Sequence, residues 1–221
     1  SFFSSGLLQI NILIGTIIAS FESGAISYLY YADRVYQLPL ALVGIAIGIT
    51  LLPSISSKIK SDEYEAIHQS IEQTFLYSLL LAVPASVGIY ALSEEIISVL
   101  FERGEFDEKS SLFTAEALKF YALGLIAFIL MKIYTPIFFA HENAKPTIYI
   151  TAINLFINTV LSIVLFINIG FIGIPIATST SAWISVLLMN YYLKKNDYYR
   201  ISKRMILPTS IIIIVSLIIY L

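Results

Sequence analysis

Seven apolar stretches divide this chain, and most are long enough to cross a lipid bilayer as a helix. They cover about residues 5–21, 24–56, 73–100, 111–140, 146–168, 171–193 and 204–221. A helix needs about 20 apolar residues to span the hydrocarbon layer, and lipid cannot satisfy exposed backbone groups. No segment has the pattern of a strand or of a soluble domain. The sequence therefore predicts an all-α integral membrane protein with about seven transmembrane helices.

The composition excludes several classes of function. Charged residues make up 13% of the chain, about half the usual 25% of a soluble domain. The absence of cysteine excludes disulfides, thiolate catalysis and cysteine-based metal sites. No basic run or face is large enough to bind nucleic acid. Since the chain also lacks a nucleophile elbow, a Walker loop and a zinc-binding helix, we do not expect an enzyme.

The polar joints between the apolar stretches differ in charge. Alternate joints carry most of the basic residues, namely Lys58, Lys60, Lys145, Lys194, Lys195, Arg200, Lys203 and Arg204. The opposite joints contain only Arg103 and Lys109. Basic residues accumulate in cytoplasmic loops, so we expect the first set, with Ser1, on the cytoplasmic side and Leu221 on the outer side. The longest joint, 58–72, has the spacing of a short helix that lies along the membrane surface.

Two adjacent charges interrupt the second stretch, in YLYYADRVYQLPLALVG (28–44). Arg34 follows Ser23 by about 15 Å of helix, and a charge at such depth costs about 2.5–3.5 kcal/mol on insertion scales. Neighbouring helical residues point about 100° apart, so Asp33 and Arg34 do not face each other. Either the two charges fix helix packing, or Arg34 faces a water-filled cavity and binds an anion through its planar fork. Pro39 predicts a bend in the same helix.

Polar residues also face each other across the fifth and sixth stretches. Asn154 and Asn158 lie one turn apart, and Thr178 belongs to a cluster of hydroxyl residues in IATSTSAW. These groups can form hydrogen bonds between helices, or they can supply oxygen ligands to a hard cation such as Na⁺. For Lys119 and Lys132 in the fourth stretch, we expect the side chains to snorkel to the membrane surfaces.

Four ordered motifs resemble the MurJ (MviN) family, the bacterial flippases of the peptidoglycan precursor lipid II. The first is the Y-A-D-R…P stretch that runs to L-P-x-I-S in 27–57. The second is VLFERGEFD, residues 99–107, similar to the L-F-x-R-G-x-F loop of the family. The third is YALGLIAFILMKIYTPIFFAHENAKPT at 121–147, and the fourth is GFIGIPIATSTSAWISVLL at 170–188.

This resemblance implies one lobe of a two-lobe, alternating-access transporter in the bacterial cytoplasmic (inner) membrane. Residues 1–200 would be the C-terminal six-helix lobe, and residues 201–221 the first trailing transmembrane helix. The N-terminal lobe and the last helix would be absent. The implied partners are lipid II, membrane lipids and the N-terminal lobe.

The resemblance also implies roles for single residues. Arg34 would engage the diphosphate of the substrate, Asp33 would orient Arg34 or pair with the other lobe, and Gln37 stands where some members have an acid. Asn154, Asn158 and Thr178 match positions of a Na⁺ site in some relatives, although Gly15 stands where a helix-one Asp can occur. Na⁺ as coupling ion and the membrane potential alone are equal contenders.

Two other functions stay open on the sequence. The chain could belong to a flippase for another polyprenyl-linked oligosaccharide, of the O-antigen type, within the wider superfamily of multidrug and polysaccharide exporters. It could also be a membrane scaffold that transports nothing.

Overall fold

The structure is a computed structural model that describes residues 2–60, 64–200, 202 and 205–220. Within these residues the chain is helical and forms no strand beyond one isolated bridge between Arg103 and Phe106. The helices are α1 (Phe2–Ala19), α2 (Ala25–Lys60), α3 (Tyr64–Ala91), α4 (Ser93–Phe101), α5 (Glu108–Ala140), α6 (Lys145–Ile169), α7 (Gly173–Lys195) and α8 (Ile206–Tyr220), and a 3₁₀ turn, Gly170–Ile172, joins α6 to α7. The all-α membrane fold is confirmed.

Helix α5 lies at the centre and packs against α2, α3, α4 and α7. Small polar side chains tie it to its neighbours: Ser86 of α3 donates to the Ala122 carbonyl at 2.6 Å, and Ser179 of α7 donates to the Phe120 carbonyl at 2.7 Å. Hydroxyl-to-carbonyl bonds and close approach of small residues are the usual means of joining helices where lipid removes the hydrophobic drive.

Helices α6 and α7 form a tight hairpin. Gly170 adopts φ +70°, a conformation that other residues rarely take. At Gly173, a Cβ atom would lie 2.6 Å from the backbone carbon of Leu165, so only glycine lets the two helices approach this closely. The carboxylate of Glu22 accepts a hydrogen bond of 2.8 Å from the Phe171 amide and thereby joins the α1–α2 turn to this hairpin.

Two boundaries differ from the sequence prediction. The stretch 73–100 is not one span, because α3 ends at Ala91 and α4 begins at Ser93. Two acidic residues in its first turn, Glu94 and Glu95, favour a new helix N-terminus at this point. The surface helix within 58–72 is also wrong: from Tyr64 onward the segment belongs to α3, and Ile67 and Ile71 pack into the core.

The count of seven spans is not confirmed. Among the described residues, four segments are long and apolar enough to span a membrane: Ala25–Ile59, Glu65–Ala91, Glu108–Ala140 and Lys145–Lys195. The last contains the α6–α7 hairpin and therefore two helices. Helices α1 and α8 offer only short apolar segments, Gln9–Ala19 and Leu207–Ser216.

Helix ends with basic residues cluster at one end of the bundle, which we call the basic end. Its described basic residues are Lys58, Lys145, Lys194, Lys195 and Arg200. The turn after α7 joins this end together, since Tyr198 stacks on His141 at 4.0 Å and Tyr199 stacks on His68 at 5.6 Å. The residues Ser1, Lys203, Arg204 and Leu221, used for the predicted orientation, lie outside the described residues, as does residue 201 at the predicted domain boundary.

Candidate functional site

Helices α2 and α5 form a groove, which we call the α2–α5 groove. Tyr28 contacts Phe113 at 5.5 Å between ring centroids, and Tyr36 stacks on Tyr121 at 5.0 Å. Eight residues separate the two contacts on each helix. The two helices therefore run in the same direction, in register. Helix α2 is continuous through Pro39, so this proline does not end the helix.

Arg34 is exposed on α2. The central carbon of its guanidinium group lies 4.7 Å from the ring centroid of Tyr30, one turn earlier. A cation over an aromatic face is held weakly and in a defined orientation. No ion pair within 4 Å joins Arg34 to Asp33, both of which the structure describes. The fork of the guanidinium is thus oriented but left open to an incoming anion.

Asp33 has its hydrogen-bond partner on its own helix. The side-chain amide of Gln37 donates to the Asp33 carboxylate from the next turn. Tyr36 lies beside Asp33 and Gln37 on α2, and its ring stacks on Tyr121 and on Phe128 of α5. Asp33 and Gln37 therefore form a pair, and Arg34 stands apart from it. Tyr30 was not singled out from the sequence, although its position four residues before Arg34 signals a cation–π contact.

The contacts between α2 and α5 define the level of Arg34 in the bundle. Arg34 precedes Tyr36 by two residues, as Lys119 precedes Tyr121 by two, so Arg34 and Lys119 lie at the same level. Lys119 forms an ion pair of 2.6 Å with Glu94 there. From Tyr121 to Ala140, α5 extends about 30 Å toward the basic end. Arg34 therefore lies in the part of the bundle opposite the basic end, and its depth in a membrane stays a prediction.

The two lysines of α5 differ in their contacts. Lys119 forms an ion pair with Glu94. The stem of Lys132 lies across Gly44 of α2: a Cβ on Gly44 would be 2.7 Å from Cδ of Lys132 and 3.3 Å from its Nζ. Lys132 therefore extends into the α2–α5 groove, and snorkelling of the two lysines stays a prediction.

The second candidate site is a line of hydrogen bonds between α6 and α7, which we call the α6–α7 seam. Asn154 donates to Ser185 at 2.8 Å, and Asn158 donates to Thr178 at 3.4 Å. Ser162 donates to the side-chain oxygen of Asn158 at 2.9 Å, and Thr178 donates to the Ile174 carbonyl at 2.9 Å. Nearly every donor in the seam is used between or within these two helices.

The seam is a poor fit for Na⁺ in this arrangement. Its oxygen atoms are neutral, and the side-chain oxygen of Asn158 already accepts a hydrogen bond from Ser162. Asn154, one turn from Asn158 on α6, has its side chain directed to Ser185. Among the described residues, no group of three or more Asp, Glu, His or Cys side chains could hold a metal ion. The Na⁺ site therefore stays a prediction, and we derive no step through it.

The comparisons with known proteins agree with this architecture. The family model described as lipid II flippase MurJ matches residues 1–221. The chain belongs to the MurJ family. A relative named "Probable lipid II flippase MurJ" from Rickettsia prowazekii is 41% identical over 197 residues, which cover 89% of this chain and 39% of the relative. A relative of the same name from Rhizobium tropici is 40% identical over 83% of this chain and 34% of its own length.

This MurJ-family chain matches about half the length of solved transporter structures. It matches "Lipid II flippase MurJ, inward closed conformation" with a TM-score of 0.81 and 26% identity, over 99% of this chain and 51% of that one. An outward-facing multidrug resistance MATE transporter matches with a TM-score of 0.73 at 16% identity, over 94% of this chain and 48% of that one, which shows the shared fold. The chain spans well under half the length of the two curated relatives.

Proposed function

We propose that this chain is part of a lipid II flippase that moves the undecaprenyl-diphosphate-linked peptidoglycan precursor from the inner to the outer leaflet of the bacterial cytoplasmic membrane. Family membership and the relatives named as probable lipid II flippases support this substrate. The process is transport, in which no covalent bond of the substrate changes.

One observation carries the proposal: the Arg34 guanidinium is exposed, oriented by Tyr30 and not paired with the neighbouring Asp33. A charge within a membrane-spanning helix is costly and usually faces a water-filled cavity or a ligand. The planar fork offers two parallel N–H bonds to a phosphate oxygen pair. Asp33 and Gln37, bonded to each other beside it, would keep the carboxylate from neutralising Arg34 and offer polar contacts to the head group.

The rest of the transporter would complete the cavity. Lipid II has a tail that stays in the bilayer and a diphosphate–sugar–peptide head that cannot cross hydrocarbon. A second lobe that faces the α2–α5 groove would shelter the head group, and rocking of two lobes would move access from one side to the other. Arg34 should bind only moderately, because tight binding in both states would slow release.

The orientation is part of the same proposal. The basic end would lie in the cytoplasm, because short loops rich in Lys and Arg stay on that side. Arg34 would then lie near the outer boundary, with Ser1 inside and Leu221 outside. A reagent that labels single introduced cysteines only from outside would test this: Glu105→Cys should react in intact cells and Asn196→Cys should not.

Substitution of Arg34 in the full-length protein tests the function. Arg34→Lys keeps the charge and loses the fork, so we expect the flipping rate of lipid II, measured by its accessibility to an outside reagent, to fall about tenfold or more. Arg200→Lys is the matched control, because Arg200 is an exposed arginine paired with Asp197 at the basic end. Wild-type flipping by Arg34→Lys and by Arg34→Ala would refute the role of Arg34. Flipping of O-antigen-type lipids instead of lipid II would favour the related exporter function.

A further inference from the structure

The α2–α5 groove contains a cation, Lys132 of α5, in addition to Arg34 on the exposed face of α2. Its side chain is exposed, and no hydrogen bond or ion pair involves it among the described residues. An ammonium group inside a spanning segment is costly without water or a partner. Its position therefore calls for a physical explanation beyond helix packing.

The Lys132 side chain packs across α2 at Gly44. A Cβ atom on Gly44 would lie 3.3 Å from the ammonium nitrogen of Lys132, so the charge itself reaches the surface of α2. The ammonium group therefore lies beside α2 at the level of Gly44, between Arg34 and the basic end.

Gly44 provides the space for this arrangement. A Cβ atom there would lie 2.7 Å from Cδ and 3.0 Å from Cε of Lys132, which is too close for the present side-chain position. Gly48, one turn further along α2, would meet nothing within 4 Å. Gly44 also lies two turns from Gln37 on one face of α2. The notch at Gly44 thus receives the Lys132 stem on the face of α2 that carries Gln37.

The distances along α2 place Lys132 between the two charged ends. Arg34 to Gly44 is about 15 Å and Gly44 to Lys58, at the basic end, is about 21 Å. If Arg34 were the one positive charge on this path, the diphosphate would cross most of the hydrocarbon layer with its negative charge uncompensated. The flexible stem and compact charge of a lysine suit a contact that forms and breaks without fixed geometry.

We propose that Lys132 is a transit contact for the diphosphate, held in place by the Gly44 notch, between the basic end and Arg34. This inference rests on the proposed function and deepens it. Ordinary phospholipids share the phosphate chemistry, but their head groups stay at the membrane surface, far from the level of Gly44. The ligand is therefore the diphosphate of the polyprenyl-linked substrate.

The test measures single-turnover flipping of fluorescent lipid II by the full-length protein in proteoliposomes. Lys132→Met keeps the apolar stem and removes the charge, so we expect turnover to fall about tenfold while the half-saturating lipid II content changes less than about twofold. Gly44→Ala keeps the charge but displaces the stem, and should slow turnover in the same way. Gly48→Ala is its matched control and should flip at the wild-type rate.

Each result decides between the proposals. A wild-type rate for Lys132→Met, with normal flipping by the wild-type protein, would overturn the transit contact and leave the proposed function intact. Failure of the wild-type protein to flip lipid II would overturn both. Equal slowing of a fluorescent phosphatidylglycerol by Lys132→Met would show that the lysine serves phospholipid head groups and would also overturn the inference. Unchanged thermal unfolding of the variants would separate slower transit from misfolding.

Discussion

The α2–α5 groove and the α6–α7 seam are both polar interruptions in apolar helices, yet they are built in opposite ways. In the seam, Asn154 and Asn158 each find a hydroxyl partner on the facing helix at 2.8 and 3.4 Å. On the two helices of the groove, Arg34 and Lys132 are exposed and have no ion-pair partner among the described residues. Satisfied polar groups join helices, whereas open charges need water or a ligand. The comparison predicts cohesion in the seam and supports the binding roles that we propose for Arg34 and Lys132.

The largest expected effect is a loss in the free energy of unfolding, which tests how tightly each region is packed. Gly173→Ala would bring a Cβ to 2.6 Å from backbone atoms of Leu165, which cannot move aside as a side chain can. We expect a loss of about 3 kcal/mol in the free energy of unfolding. Gly48→Ala, in the groove helix with no atom within 4 Å, should leave stability unchanged or slightly raised. Chemical denaturation in detergent measures both, and equal losses would contradict the difference between the regions.

A smaller loss of stability distinguishes two roles of the α6–α7 seam, cohesion between helices and ion binding. Asn158 is buried and bonds to Thr178 and Ser162, so Asn158→Leu should cost about 1–2 kcal/mol of stability at any Na⁺ concentration. Gln37→Leu, which removes the amide beside Asp33 in the groove, should cost less because its position is more accessible. If Na⁺ stabilises the wild-type protein and this effect disappears in Asn158→Leu, the seam is an ion site.

The smallest effect concerns the basic end, where the turn after α5 meets the turn after α7. Burial lowers the pKa of His141, whose Nε2 is buried without a hydrogen-bond partner among the described residues, while its ring stacks on Tyr198. The neutral form is therefore favoured in the folded state. This stability is present above pH about 6.5 and is lost as the pH falls through the lowered pKa.

We expect the Tm of the wild-type protein to fall more steeply between pH 7 and pH 5 than that of His141→Phe, which keeps the ring contact without titrating. His68→Phe, which changes the neighbouring stack on Tyr199, is the control for aromatic substitution at this end. Parallel Tm curves for wild type and His141→Phe would show that His141 contributes nothing to the pH dependence.

Much of the fold followed from local patterns. The helices α2, α5, α6 and α7 appear where apolar stretches end at glycine, asparagine or charged joints. Four ordered motifs, the first of which contains Tyr-Ala-Asp-Arg, pointed to the MurJ family. The boundary between α3 and α4 was missed because hydropathy does not change at Leu92, and the break depends on the acidic first turn and on packing against α5.

The candidate site was only half determined by the sequence. Arg34 could be singled out because a charge in an apolar helix is rare. Its level in the helix bundle could not, because this depends on which residue of α5 lies beside it. The position of the Lys132 side chain could not either, since only the packing of α2 against α5 shows that the stem lies across Gly44.

The sequence by itself determined that the chain is a helical membrane protein of the MurJ type, because helix length and hydropathy are local properties fixed by the bilayer. Tertiary structure alone decided which polar groups are satisfied and which stay open. That outcome depends on the spacing and register of helices far apart in the chain, where a single absent Cβ at Gly44 or Gly173 sets the approach of the neighbouring segment.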